Sequence, residues 1–103
     1  MDATKTLGEL LKLAREKKGL LLRQIAALID SDTALISKFE KDERKPTREQ
    51  IVKLAKALDL EEEQLMVIYL SEKILWEIKD ETMGSEALKV AEKKMDYLKK
   101  KNK

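Results

Sequence analysis

The chain of 103 residues contains no cysteine and no histidine. Without cysteine it has no disulfides and no thiolate metal site, and this composition fits a reducing compartment such as the cytoplasm, where we expect the protein to act. Without histidine it lacks the commonest general base and the commonest metal ligand. We therefore expect neither an enzyme nor a cofactor, since no pair of acidic residues suggests another catalytic arrangement.

Aromatic residues make up only 4% of the chain, and there is a single proline. Hydrophobic residues at 43% are enough for one modest core, while charged residues at 41% indicate helices with solvated faces. The longest apolar run spans only Leu65–Leu70, whereas a membrane-spanning helix needs about 20 apolar residues. The sequence therefore predicts no membrane segment, and its N-terminus lacks the apolar core of an export signal.

Apolar residues recur at three- and four-residue spacing along most of the chain, which predicts helices throughout. Thr6 and Glu9 have the spacing of a capping box that opens a first helix, and Gly19 is placed to end it. Thr47 and Gln50 repeat the capping signal directly after the proline. We predict an all-α fold in which a five-helix domain with a long fifth helix is followed by a sixth helix.

Residues 22–46 hold two short apolar segments that are separated by the polar residues 30–33. Asp32 is placed to cap the second segment, which would form a helix over about residues 33–41. Two short helices joined by a tight turn and followed by a basic loop are typical of a helix-turn-helix that binds DNA. The basic residues of this region are Lys38, Lys41, Arg44, Lys45 and Arg48.

The predicted helix over residues 33–41 has an apolar side and a polar side. Leu35, Ile36 and Phe39 form the apolar side. Acidic residues interleave with the basic residues of this region, so on composition alone an ordinary solvated surface is the commoner explanation for that basic cluster. The small or polar residues left on that side are Thr33, Ala34, Ser37 and Lys38.

The fifth helix carries apolar residues on more sides than one partner helix can cover. We expect this surface to form the interface of a homodimer; the alternatives are an intrachain core beneath the sixth helix and a ligand pocket. The sixth helix has an apolar stripe, and the basic tail over residues 99–103 is expected to fray because it has nothing to bury. The expected interface residues are Met66, Tyr69, Leu70, Ile74 and Trp76, and the stripe consists of Leu88, Ala91, Met95 and Leu98.

Several short motifs stand at fixed spacing in the first two thirds of the chain. Asp30 lies at the tight turn between the two short helices, and Asp32 follows at the cap position. The motifs are Ile25-Ala26, Ile36-Ser37-Lys38-Phe39-Glu40, Arg44-Lys45-Pro46 and Leu54-Ala55-Lys56-Ala57-Leu58. With these motifs, residues 7 to about 65 resemble the phage-repressor/Cro-type helix-turn-helix family, also called XRE-like or lambda repressor-like.

The resemblance implies five helices around one core, with the third helix in the major groove of double-stranded DNA. It implies base contacts by Thr33, Ala34, Ser37 and Lys38, phosphate contacts by Arg23, Lys41, Arg44 and Lys45, and a structural ion pair between Arg15 and Glu40. We accordingly expect a DNA-binding domain over residues 1–64, a helical extension for dimerisation over residues 65–98, and the basic tail.

The function that the resemblance implies is that of a bacterial or phage transcriptional regulator, such as a repressor or a restriction-modification controller, that binds a near-palindromic operator as a homodimer. The alternative is a protein-interaction module or antitoxin-like protein that keeps the fold with weak or no DNA binding. Three departures predict weak binding by a single copy. Leu21 stands where the family has a polar helix cap, Leu22 where it has a phosphate-binding glutamine, and Asp30 where it has a turn glycine.

Overall fold

The computed structural model describes residues 4–102, and this part of the chain contains six α-helices and no strand, as predicted. The chain divides into two compact units, an N-terminal unit that ends at Glu72 and a C-terminal unit that starts at Lys73. The helices are α1 (Leu7–Lys17), α2 (Leu22–Leu28), α3 (Thr33–Glu40), α4 (Arg48–Ala57), α5 (Glu62–Ile78) and α6 (Gly84–Lys101).

The N-terminal unit is built around one apolar core to which all of its helices contribute. Helix α3 packs against both α1 and α2, and α2 also packs against α4. The largest fully buried side chains are Ile25, Ile51, Leu54 and Leu65. Burial of one such side chain stabilises a fold by about 1.5–3 kcal/mol, so this core holds α3 in a fixed place.

Two residues of α5, Leu65 and Tyr69, belong to this core. The predicted domain boundary after residue 64 is therefore too early, because the compact unit continues to Glu72. Tyr69 was expected in a dimer interface, but it is only 7% exposed within the single chain. Its position four residues after Leu65 places both side chains on the same face of α5, and that face is turned to the core.

Both predicted capping boxes are present. Thr6 Oγ1 accepts a hydrogen bond from the Glu9 N–H at 3.1 Å, and the Glu9 carboxylate accepts one from the Thr6 N–H at 2.9 Å. Thr47 and Gln50 make the same pair of bonds at the start of α4. Each box satisfies two backbone donors that the helix itself cannot satisfy, so the starts of α1 and α4 are set by local sequence.

The first four helices end in the same way, with a residue of positive φ directly after the C-cap. The next N–H then bonds back to a carbonyl of the last turn, as the Ser31 N–H does to the Ala26 carbonyl at 2.8 Å. Aspartate is one of the few residues besides glycine that tolerate this conformation. The residues are Gly19, Asp30, Asp42 and Asp59, with φ of 68°, 54°, 59° and 56°.

Helix α6 dominates the C-terminal unit. It begins at Gly84 after the N-cap residue Met83, and Ser85 lies inside its first turn. It continues to Lys101, whereas the tail from residue 99 was expected to fray. The lysines of its last turn favour this continuation, because cations stabilise the C-terminal end of a helix dipole. Residue 103 lies outside the described residues.

Candidate nucleic-acid interface

Helix α3 is anchored through one face and presents the other to solvent. Ile36 and Phe39 are buried in the core. Thr33, Ala34 and Lys38, three of the four residues expected to contact bases, are exposed, and the fourth, Ser37, is half-buried. The fold therefore leaves the expected reading residues on one accessible side of a helix that the core holds in place.

Both ends of α3 are fixed by hydrogen bonds. At its start, Asp32 Oδ1 accepts a hydrogen bond from the Leu35 N–H at 2.8 Å, as a helix cap. At its end, the Lys38 carbonyl accepts from the N–H of Glu43 at 2.9 Å and from that of Arg44 at 3.3 Å. The basic loop that follows α3 is thereby folded back onto the last turn of the helix.

Arg15 and Glu40 form the ion pair that the family resemblance implies. Arg15 Nε lies 2.7 Å from Glu40 Oε2, and Arg15 Nη2 donates to Glu40 Oε1 at 3.1 Å. Arg15 Nη1 also donates to the Leu20 carbonyl at 2.8 Å. The two side chains are only 13% and 8% exposed. This pair ties α1 to the end of α3.

The same contact changes the acid–base behaviour of Arg15. The hydrogen bond to Glu40 raises the pKa of Arg15 above its usual value, and the negative charge of Glu40 adds to this effect, while burial acts in the opposite direction. Arg15 therefore keeps the positive charge that an arginine side chain ordinarily carries. Its role is to hold the helices together, because its three bonds occupy the guanidinium within the fold.

The residues expected to contact phosphates lie before and after α3 in the sequence. Arg23 on α2 is exposed, as are Lys41 and Arg44 after α3. Lys45 is also exposed, and its Nζ lies 4.0 Å from Glu72 Oε1 on α5. All four cations are therefore on the protein surface, and one of them has a carboxylate beside it.

Two carboxylates have a structural role that the sequence analysis did not predict. Asp42 Oδ1 accepts a hydrogen bond from the Gly8 N–H at 3.0 Å, and Asp42 Oδ2 accepts one from the Thr6 hydroxyl. Glu72 Oε2 accepts from the Leu7 N–H at 2.6 Å. Both carboxylates bind the first turn of α1 from distant parts of the chain. Only the helix-ending position of Asp42 hints at its importance, and nothing local marks Glu72.

Gly8 allows α1 to approach α3 closely. A Cβ added at Gly8 would lie 2.7 Å from the Glu40 carbonyl oxygen and closer still to that of Phe39. Real Cβ atoms do not come this near to a backbone carbonyl, so a larger residue would push α1 and α3 apart. Gly8 is therefore needed for the position of the loop that carries Lys41, Arg44 and Lys45.

The structure gives a local role to two of the three residues that depart from the family pattern, Leu22 and Leu21. Leu22 packs partly buried against the core, so it contributes to stability. Leu21 gives α2 no side-chain cap, but Gln24 Oε1 accepts a hydrogen bond from the Leu21 N–H at 2.7 Å. Asp30 is exposed and adopts the positive φ that the turn requires.

The residues expected in the dimer interface fall into different environments. Met66 is half-buried and packs against the core of the N-terminal unit, and the buried Tyr69 is part of that core. Leu70, Ile74 and Trp76 are exposed. Nζ of Lys79 lies 4.3 Å from the centre of the Trp76 ring, a cation–π contact that leaves much of the ring accessible.

Within residues 4–102 there is no cluster of acidic side chains placed to hold a metal ion. Over the same residues, no helix combines the length and the apolar character that crossing a membrane requires.

The helix-turn-helix family model matches residues 11–65, which is more than half of the chain, so the protein belongs to the phage-repressor/Cro-type helix-turn-helix family. Members of this family are regulatory DNA-binding proteins and not enzymes. The match covers α2, α3 and α4 completely and ends at Leu65, the first buried residue of α5.

Solved structures with the same fold include the P22 c2 repressor in complex with the synthetic operator 9T. The repressor is 26% identical to this chain with a TM-score of 0.57, and the match covers 60% of this chain and 94% of the repressor chain. The restriction-modification controller protein C.AhdI from Aeromonas hydrophila is 34% identical with a TM-score of 0.54, covering 57% of this chain and 89% of its own. A hypothetical protein from E. coli is 26% identical with a TM-score of 0.63, and the match covers 82% of this chain and 86% of the E. coli chain. No match is found among curated proteins.

Proposed function

We propose that the protein regulates transcription by binding a near-palindromic operator as a homodimer. The observation that carries this proposal is the exposed side of α3, where Thr33, Ala34 and Lys38 stand next to a basic loop that is bonded to the end of the same helix. The P22 c2 repressor, which has the same fold, was solved in complex with an operator, and this similarity supports a DNA-binding role for the exposed side of α3. Such a role places the protein with its DNA, in the bacterial cytoplasm.

In this proposal α3 lies in the major groove and reads bases through few contacts. Lys38 offers its ammonium group to O6 and N7 of guanine, and the Thr33 methyl group packs on the methyl group of thymine. Ala34 contributes only van der Waals contact. Ser37 is half-buried, so its hydroxyl reaches only a base edge that comes close to the helix. Sequence preference therefore rests mainly on Lys38 and Thr33.

Arg23, Lys41, Arg44 and Lys45 bind phosphates and set the register of α3 on the duplex. Each phosphate that they neutralise releases counterions, so the affinity falls steeply as salt is raised. The backbone bonds from Glu43 and Arg44 to Lys38 keep the loop at a fixed distance from the reading helix. The carboxylate of Glu72 reduces the contribution of Lys45.

A homodimer compensates for the small reading surface of each copy. Leu70, Ile74 and Trp76 are exposed apolar residues of α5, and solvent-exposed apolar groups of this kind favour association. A two-fold dimer presents two recognition helices about 34 Å apart, one turn of DNA, and so requires a near-palindromic site. Trp76→Glu should convert a dimer into a monomer in light scattering, while Lys73→Glu, an exposed change on the same helix, serves as the control.

Selection of binding sites from random duplex DNA tests the proposal directly. We expect an enriched near-palindromic sequence, bound with an affinity that falls as salt rises. No enrichment together with undetectable binding at low salt would overturn the proposal. That result would favour the alternative, a protein-interaction or antitoxin-like module that keeps the fold without the DNA function.

A further inference from the structure

Helix α6 carries an apolar stripe that the single chain leaves uncovered. Leu88, Met95 and Leu98 are 39%, 58% and 54% exposed, and Ala91 between them is also exposed. Apolar side chains along one helix stabilise a structure only when another surface removes them from water. The lysines and acidic residues of α6 lie on its other sides, so the stripe is flanked by charge.

The spacing of the stripe is that of a pairing helix. From Leu88 to Leu98 the positions of the stripe advance by three, four and three residues. This alternation is the heptad pattern by which two helices pack side by side with interlocking side chains. A stripe with this period stays on one face of α6 from Leu88 to Leu98.

We infer that α6 pairs with α6 of a second copy, and that the two helices run antiparallel. The inference rests on the homodimer of the proposed function and adds a contact that the α5 residues do not make. In this arrangement the two-fold axis passes beside Lys93, and each stripe residue meets a different stripe residue of the second copy. Lys93 itself is on the outer side of the pair.

Side-chain size favours the antiparallel order. It sets Leu88 against Leu98 of the second copy and Ala91 against Met95 of the second copy. The small alanine then faces the long methionine, and the layers fill evenly. In a parallel pair Ala91 would face Ala91 and Met95 would face Met95, which leaves one layer underfilled and crowds the next.

Charge favours the same order. Residues 80–87 include Asp80, Glu81 and Glu86 and no basic residue, whereas the last turn of α6 contains Lys99, Lys100 and Lys101. A parallel pair brings the two lysine runs together at one end. An antiparallel pair places each lysine run beside the acidic end of the second copy, and it also opposes the two helix dipoles.

The chain has no cysteine, so introduced thiols report the pairing directly. Leu88→Cys and Leu98→Cys are made in the full chain, with an affinity tag on one of them so that the mixed dimer has its own size. After mild oxidation without DNA, we expect disulfide-linked dimers in the mixture of the two variants and only background in each variant alone. Lys93→Cys, which lies nearest the axis but on the outer side, gives the background level.

Linkage of Leu98→Cys to itself above that background would show a parallel pair and overturn the inference. The absence of linkage in the mixture, with the protein dimeric in sedimentation, would overturn it too and place the interface elsewhere, for example on α5. A monomeric parent chain, or one that joins only a different protein, also overturns it.

A second variant makes the same test without a new bond. Leu98→Glu leaves the core of the N-terminal unit untouched, because Leu98 belongs to the C-terminal unit. We expect its dimer dissociation constant to rise at least tenfold in sedimentation, while Lys93→Glu changes it little. Helix content by circular dichroism distinguishes loss of pairing from loss of folding. An unchanged dissociation constant in Leu98→Glu contradicts the inference.

These outcomes are separable from those of the proposed function. Specific cross-linking in a chain that enriches no DNA sequence would leave the antiparallel pair intact and remove the operator. Selection of a palindromic site by a chain that does not cross-link through α6 would do the reverse.

Discussion

The Leu7 N–H donates a hydrogen bond to Glu72 Oε2 at 2.6 Å and so joins the start of α1 to α5, across 65 residues of sequence. The other carboxylate oxygen of Glu72 lies 4.0 Å from Nζ of Lys45 in the basic loop. Asp42 binds the next N–H of the same helix turn, that of Gly8. The first turn of α1 thus connects α5 with the loop that follows α3, and negative charge is favoured there by the helix dipole.

Replacing Glu72 separates its hydrogen bond from its charge. Glu72→Gln keeps an oxygen that can accept from the Leu7 N–H but removes the negative charge beside Lys45. We expect it to raise DNA affinity several-fold at low salt with little loss of stability. Glu72→Ala removes both, and should lower the free energy of unfolding by about 1–3 kcal/mol because a part-buried N–H loses its partner. Urea denaturation and DNA titration of the two variants check this, and equal stability of both would contradict the structural role.

The buried pair of Arg15 and Glu40 should respond strongly to loss of one partner. Arg15→Ala leaves the Glu40 carboxylate buried without its counter-ion, and breaking a buried pair in this way costs about 3–5 kcal/mol. The double variant Arg15→Met with Glu40→Leu removes both charges and should be more stable than the single variant. Thermal and urea unfolding measure the difference; a double variant less stable than Arg15→Ala would show that the charges themselves are needed.

Asp30 combines a turn conformation that suits glycine with a negative charge next to the proposed DNA surface. Asp30→Asn should raise DNA affinity and leave stability nearly unchanged. Asp30→Gly should raise affinity and add up to about 1 kcal/mol of stability, since a left-handed residue other than glycine costs about 1–3 kcal/mol and the freer unfolded chain offsets part of the gain. Asp59→Gly is the control: it relieves the same conformation after α4 and should not change DNA binding.

The two kinds of proposed DNA contact predict different losses. Lys38→Ala should relax base preference at one position of each half-site, with about 1–3 kcal/mol of discrimination lost there. Arg44→Ala should weaken binding to all sequences alike and make the affinity less sensitive to salt. Titrations of a selected site and of its single-base variants at several salt concentrations test both. Uniform loss of affinity in both variants would contradict the assigned roles.

Much of the fold could be predicted because its signals are local. The capping boxes at Thr6 and Thr47 and the helix end at Gly19 depend on residues within a few positions of one another. Apolar periodicity then separates the buried side of α3 from its exposed side. The family motifs placed Arg15 opposite Glu40, a contact that periodicity alone does not reveal.

Other features depend on which helix faces meet, and no local pattern encodes that. Met66 and Tyr69 are residue types that are common in interfaces, yet the packing of α5 turns them toward the chain's own core. Leu70 on the same helix stays exposed. Leu22 stands where the family has a phosphate-binding glutamine, but it packs against the same core.

The sequence by itself determined that the chain is all-α, where its first helices begin and end, and which side of α3 is apolar, because hydrogen bonds and periodicity within a few residues decide these things. Only the tertiary structure decided that the N-terminal unit extends to Glu72, that Glu72 and Asp42 bind the first turn of α1, and that Gly8 lets α1 touch α3. Those outcomes depend on groups brought together from distant positions, where the geometry of the shared core selects the partners.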